Sequence, residues 1–153
     1  MSDEGEGPQA VLFACAANAV RSPMAAAILQ HLMGDRVRVA SAGVRAGQPD
    51  PYAVAVLDEI GIDISEHEPA NLDSIEGEVF DLVVTLSPEA HHHGVELTRV
   101  MPADVEYWPT PDATAASEDV SREELLARYR GVRDMLFRRI KQRFVKTGGG
   151  PSV

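Results

Sequence analysis

The chain has one cysteine, Cys15, in 153 residues. No internal disulfide can form, and there is no Cys-x-x-Cys pair or Cys/His set with zinc spacing. Lysine is nearly missing. The first is Lys141, so the Gly-x-x-x-x-Gly-Lys-[Ser/Thr] loop of nucleotide hydrolases is excluded. Positive charge is outnumbered, with 14 Lys and Arg against 24 Asp and Glu, giving a formal net charge of -10 and a pI near 4.8. A chain of that sign repels nucleic acid and anionic lipid, and neither is expected as a partner. No apolar run approaches the roughly 20 residues needed to span a bilayer. The acidic opening MSDEGEGPQ lacks the apolar stretch of a signal peptide. These absences describe a cytoplasmic protein with a free thiol. Any chemistry on a phosphate must come from a local positive pocket inside a negative field.

What is present is ordinary for a globular domain: 44% hydrophobic and 25% charged residues. One domain over 9–146 is expected, with the polar, glycine-rich ends 1–8 and 147–153 disordered. AVLFA (10–14) is a short apolar run that suits a strand buried on both faces. Ser22-Pro23 reads as a helix start, followed by MAAAILQHLMG with a glycine stop. VRVASAG (37–43), FDLVVTL (80–86) and VEYW (105–108) read as further strands. Asp50-Pro51 and Ser87-Pro88 open the helices between them. SREELLARYRGVRDMLFRRIKQRF (121–144) is an amphipathic helix whose apolar residues Leu125, Tyr129, Val132, Leu136, Ile140 and Phe144 recur every three or four positions. Strands alternating with helices imply an α/β fold: a doubly wound, three-layer α/β/α domain around a four-stranded parallel sheet. Sites in such sheets form beyond the carboxyl ends of the strands.

Cys15 lies there, in VLFACAANAVRSPMA. Free cysteines are often inert core filler, and an arginine six positions on is weak evidence alone. The context supplies the competing reading. A loop between strand and helix can aim several amides at one point, and a helix N-terminus favours an anion. A thiolate would be stabilised in that cradle. Arg21 offers a planar fork to two phosphoryl oxygens. Ser22 could cap the helix or donate to the sulfur.

The Cys-x5-Arg-Ser-Pro run directly after the first strand resembles the low-molecular-weight protein tyrosine phosphatases and their arsenate reductase relatives. SAG (41–43), PDPYAVAVLDEIGIDISEH (49–67), FDLVVTLSPEA (80–90) and WPTPD (108–112) follow in that family's order, so the likeness spans about residues 10 to 144. It implies a flavodoxin-like topology and hydrolysis of phosphomonoesters, foremost protein phosphotyrosine, by a monomer or weak dimer without metal or cofactor. Cys15 would be the nucleophile that forms a cysteinyl-phosphate. Arg21 and the amides of Ala16, Ala17, Asn18, Ala19, Val20 and Ser22 would hold the phosphoryl oxygens. Asn18 would fix the loop, Ser22 would stabilise the departing thiolate, and Ser41 and His67 would buttress the loop from behind. Asp112 matches the family's general acid, with Asp119 and Asp104 as fallbacks.

The chain departs from the family pattern at four points. Ala17 stands where many relatives have glycine. Val20 replaces a second loop cysteine, which removes a disulfide switch. The cysteines that thioredoxin-coupled arsenate reductases need are missing. VRAGQPD and the ATAAS after Asp112 lack the aromatic pocket walls of tyrosine phosphatases, for which Trp108 and Tyr52 are the candidates to compensate. Two further functions are therefore carried forward: a non-catalytic oxyanion-binding module, and arsenate handling with an external thiol. The run His91-His92-His93 is not expected to bind a metal, because consecutive helical residues point about 100° apart. Arg128, Arg130, Arg133, Arg138 and Arg139 are expected on a solvated face paired with acids.

Overall fold

A computed structural model describes residues 7–114 and 119–145. The ends expected to be disordered therefore lie outside the described residues, apart from Gly7 and Pro8. Strands β1 (Ala10–Cys15), β2 (Arg38–Gly43), β3 (Leu82–Thr85) and β4 (Asp104–Tyr107) alternate with helices α1 (Arg21–Met33), α2 (Pro51–Asp58), α3 (Pro88–Leu97) and α4 (Arg122–Phe144). All strand pairs are parallel and the order is β2-β1-β3-β4. The chain winds outward from β1 to β2, then crosses back to β3. The switch point thus falls at the carboxyl end of β1, where Cys15 sits.

The side chains of β1 alternate between two cores, as the strand pleat requires. Val11, Phe13 and Cys15 join the larger core with Met24, Ile28 and Leu29 of α1, Val56 and Leu57 of α2, and Tyr129, Leu136 and Ile140 of α4. Leu12 faces the smaller core with Ala42, Ile75, Phe80, Val83 and Met101. Helix α3 lies close against β3 through Gly94, where a Cβ would fall 2.6 Å from Thr85 Cγ2.

The helix starts were legible except at α1. Asp50 caps α2 by accepting from the amides of Tyr52 and Ala53, and Ser87 caps α3 through Ala90 N. Ser121 and Glu124 form a reciprocal capping box on α4. At α1 the N-cap is Val20, which offers no side-chain acceptor. Ser22 instead lies buried in the first turn, and its hydroxyl is used elsewhere.

On α4, Leu126 is buried while Leu125 is only partly covered. Arg133 is not on the solvated face. It is 9% exposed and donates to Val56 O at 2.8 Å, Glu59 Oε1 at 2.7 Å and Asp134 Oδ1 at 2.8 Å. Those three acceptors make up for its loss of water. The three histidines of α3 diverge. His91 Nδ1 meets Thr85 Oγ1 at 3.0 Å and its ring stacks on Tyr107, while His92 and His93 are exposed.

Candidate active site

The loop from Ala16 to Val20 joins β1 to α1, and its shape follows from where its carbonyls go. Those of Cys15, Ala16 and Ala17 accept from Val44 N, Arg45 N and Gly47 N at 3.0, 2.9 and 2.8 Å. The carbonyl of Asn18 meets His67 Nε2 at 3.1 Å. Within a trans peptide unit the C=O and the next N–H point in opposite directions. Pulling these four carbonyls outward therefore turns the amides of Ala16, Ala17, Asn18 and Ala19 toward the inside of the loop. None of these amides finds an acceptor among the described residues. Such a ring of inward amides is an anion-binding concavity.

The segment after β2 must run against the loop for this to happen, and Gly43 permits it. A Cβ there would lie 2.5 Å from Arg45 O and 2.8 Å from Ala17 C. Gly47 similarly makes room for the methyl of Ala17, which would be 3.0 Å from a Cβ at 47. Ala17, a departure from the family pattern, is thus accommodated by a glycine thirty residues on.

Asn18 ties the assembly together. Its φ of 54° is left-handed, a conformation asparagine tolerates better than most residues. Its fully buried side chain donates to Ser22 Oγ at 2.8 Å and Ser41 Oγ at 2.9 Å, and accepts from Ala70 N at 2.9 Å. Because Asn18 donates to Ser22 Oγ, the serine's own hydrogen is free for the sulfur. Ser22 Oγ lies 3.0 Å from Cys15 Sγ, and Ser22 N lies 3.4 Å from it. Of the two roles open to Ser22, the structure takes the contact to sulfur.

Opposite the loop, Arg21 Nη1 donates to Thr110 O at 3.1 Å, and its Nη2 lies 4.0 Å from Asp112 Oδ2. The other oxygen of Asp112 accepts from Thr114 N at 2.9 Å and Thr114 Oγ1 at 2.6 Å. Burial pushes the Asp112 carboxyl up, but the Thr114 hydrogen bonds and the Arg21 charge outweigh it and hold the group below its ordinary value. Cys15, Ala16, Ala17, Ala19, Val20 and Arg21 enclose one cavity of about 120 Å³, with Arg45, Asp112 and Thr114 across its mouth.

Cys15, Arg21 and the acid candidate Asp112 are thus brought together on one cavity, and Ser41 and His67 hold the loop through Asn18. The two fallback acids are not part of the cavity. Asp104 begins β4, at the far end of the sheet, and Asp119 is exposed and lines none of it. Trp108 and Tyr52 do not supply aromatic walls. Trp108 is 3% exposed, packed on Phe13 and Phe144 with Arg139 over its ring. Tyr52 packs on Tyr129. Residues 115–118, part of the stretch after the acid, lie outside the described residues. Sequence reasoning missed Arg45 and Thr114. The Asp-x-Thr spacing of a side chain turning onto its own backbone is the signal that would have found Thr114.

A buried thiol in an anion cradle has a distinctive reactivity. Iodoacetate, itself an anion, is expected to alkylate Cys15 at pH 6, and millimolar inorganic phosphate is expected to slow the reaction about tenfold. Mass spectrometry of the intact protein follows it. Labelling that occurs only after unfolding would mean an inert core cysteine.

Comparison with known proteins agrees with this geometry. Residues 10–144 match the pattern of the family described as low molecular weight phosphotyrosine protein phosphatase. An arsenate reductase of Halalkalibacterium halodurans is 36% identical over 140 residues, 90% of this chain and 96% of its own. An arsenate reductase in its oxidized state superposes with a TM-score of 0.71 at 26% identity, over 88% of this chain and 95% of that one. A low molecular weight protein tyrosine phosphatase from T. tengcongensis gives 0.69 at 26% identity, over 88% and 96%. The cradle after β1 thus stands in a fold shared with both named activities, and the chain belongs to the low-molecular-weight phosphotyrosine protein phosphatase family.

Proposed function

We propose that this chain hydrolyses phosphomonoesters through a cysteinyl-phosphate intermediate. The observation that carries this is the convergence of Cys15, the loop amides that find no acceptor among the described residues, Arg21 and Asp112 on one cavity small enough to select a phosphoryl group. In the first step Cys15 Sγ attacks phosphorus, the P–O ester bond breaks, and Asp112 gives its proton to the leaving oxygen. The loop amides and Arg21 hold the equatorial oxygens as charge spreads onto them. In the second step Asp112, now a carboxylate, takes a proton from water as it attacks phosphorus. The S–P bond breaks, and Ser22 steadies the thiolate that departs. A pure oxyanion binder would need the loop and Arg21 but has no use for Asp112 at the mouth.

The test is turnover of p-nitrophenyl phosphate and of a phosphopeptide panel, with EDTA present, since Arg21 and the amides supply the positive charge. Release of phosphate from at least one aryl ester is expected. A folded protein that binds phosphate and turns over none of them would instead be an oxyanion-binding module.

The relatives named arsenate reductase motivate a second reading. Reducing arsenate takes two electrons, and with one cysteine in the chain only one thiol is internal. The other would be an external thiol, leaving a mixed disulfide on Cys15. Arsenate-dependent consumption of a small thiol would support it, and its absence beside ester turnover supports hydrolysis.

A further inference from the structure

We infer that Arg45 is a specificity-determining residue that favours phosphomonoesters carrying a second anionic group beside the phosphate; this rests on the phosphatase reading. Three observations combine. Arg45 shares the cavity mouth with Asp112 and Thr114, and among the described residues no aromatic one lines that cavity. Its backbone is fixed to the cradle, because Arg45 N donates to Ala16 O at 2.9 Å and the flanking Val44 and Gly47 amides donate to Cys15 and Ala17. Its charge is held in place from the outside: Nη1 donates to both carboxylate oxygens of Glu89, at the start of α3, at 3.2 Å each.

The consequence is a wall of a different chemistry. An aromatic wall recognises a ring by stacking and offers no donor to an anionic substituent. Here the rim presents a guanidinium, which binds a carboxylate or a second phosphate through a bidentate fork. Glu89 engages one nitrogen of that fork, Nη1, in the free protein and competes with the substrate for it. Both side chains are well exposed, at 62% and 48%, so the exchange takes place in water and is weakened by salt. A rim charge of this kind sorts substrates rather than accelerating the chemistry.

The experiment compares 3-carboxyphenyl phosphate with 3-carbamoylphenyl phosphate, nearly equal in shape and different in charge. The two phenols differ in acidity, but that difference is common to every form of the protein and cancels between variants. The quantity read is the ratio of kcat/KM for the charged over the neutral ester, at low salt and pH 6. Relative to the unmodified chain, Arg45→Ala is expected to lower this ratio about fivefold. Glu89→Gln, which removes the carboxylate that competes for Nη1, is expected to raise it about threefold. Both effects should shrink in 0.5 M salt. A ratio that Arg45→Ala leaves unchanged overturns the inference, while turnover of both esters leaves the phosphatase reading standing. No turnover of either ester by the unmodified chain defeats that reading, and the inference with it.

Discussion

The Cys15→Ser protein is expected to lose at least about 10⁴-fold in kcat on p-nitrophenyl phosphate while still binding inorganic phosphate. The size of the loss follows from what surrounds the sulfur. Its hydrogen-bond neighbours are Ser22 Oγ and Ser22 N. Both can donate to a thiolate, and neither can take a proton from a serine hydroxyl. The one histidine near the loop, His67, is turned to the carbonyl of Asn18 on the outer side. A serine at 15 would therefore face the phosphorus as a neutral alcohol with no base among its hydrogen-bond partners. The amides, Arg21 and the N-terminus of α1 are unchanged by the substitution, so phosphate should still be held, as isothermal titration would show. Loss of turnover with retained binding separates nucleophile from cradle. Full activity in Cys15→Ser would exclude the cysteinyl-phosphate.

The parts of this molecule that follow local rules were legible in the sequence, and the parts made by distant contacts were not. Asp50-Pro51, Ser87-Pro88 and Ser121-x-x-Glu124 mark helix starts because a capping side chain acts within three residues of itself. Ser22-Pro23 carries the same signal, yet Ser22 is diverted to Cys15 and Asn18, and its helix begins uncapped. An N-cap without a side-chain acceptor costs the helix a cap and leaves one of its first amides, Ser22 N, to the sulfur of Cys15, so the broken rule falls at the site. Arg133 was misplaced for a related reason. Two of its three acceptors, Val56 O on α2 and Glu59 just beyond it, are more than seventy positions away, and sequence proximity gives no sign of them. Arg45 escaped notice because nothing in VRAGQPD shows that this loop lies on the carbonyls of the cradle, or that Glu89 awaits it. The lack of aromatic residues in VRAGQPD and ATAAS, by contrast, was visible in the sequence, and in the structure Arg45 and Thr114 line the cavity there.

Asp112→Asn is expected to reduce kcat/KM for phenyl phosphate by about 10²- to 10³-fold, and for p-nitrophenyl phosphate by much less. Phenolate is the poorer leaving group and needs the proton; p-nitrophenolate departs nearly unaided. The pH dependence carries the sharper argument. In the free protein, Thr114 and Arg21 outweigh burial and keep Asp112 below the ordinary aspartate range, so at neutral pH it is ionised and has no proton to give. For phenyl phosphate, kcat/KM should therefore fall as pH rises out of the acid range, and the asparagine variant should lose that dependence. Binding works in the opposite direction. If the phosphoryl group draws the fork of Arg21 away from Thr110 O, the positive charge now 4.0 Å from Asp112 moves off and a negative one arrives. Both changes favour the protonated carboxyl. On the proposed mechanism the substrate would thereby help to load the acid, and kcat should hold to higher pH than kcat/KM. An Asp112→Asn protein that hydrolysed phenyl phosphate at the original rate, with the same fall at rising pH, would place the acid elsewhere.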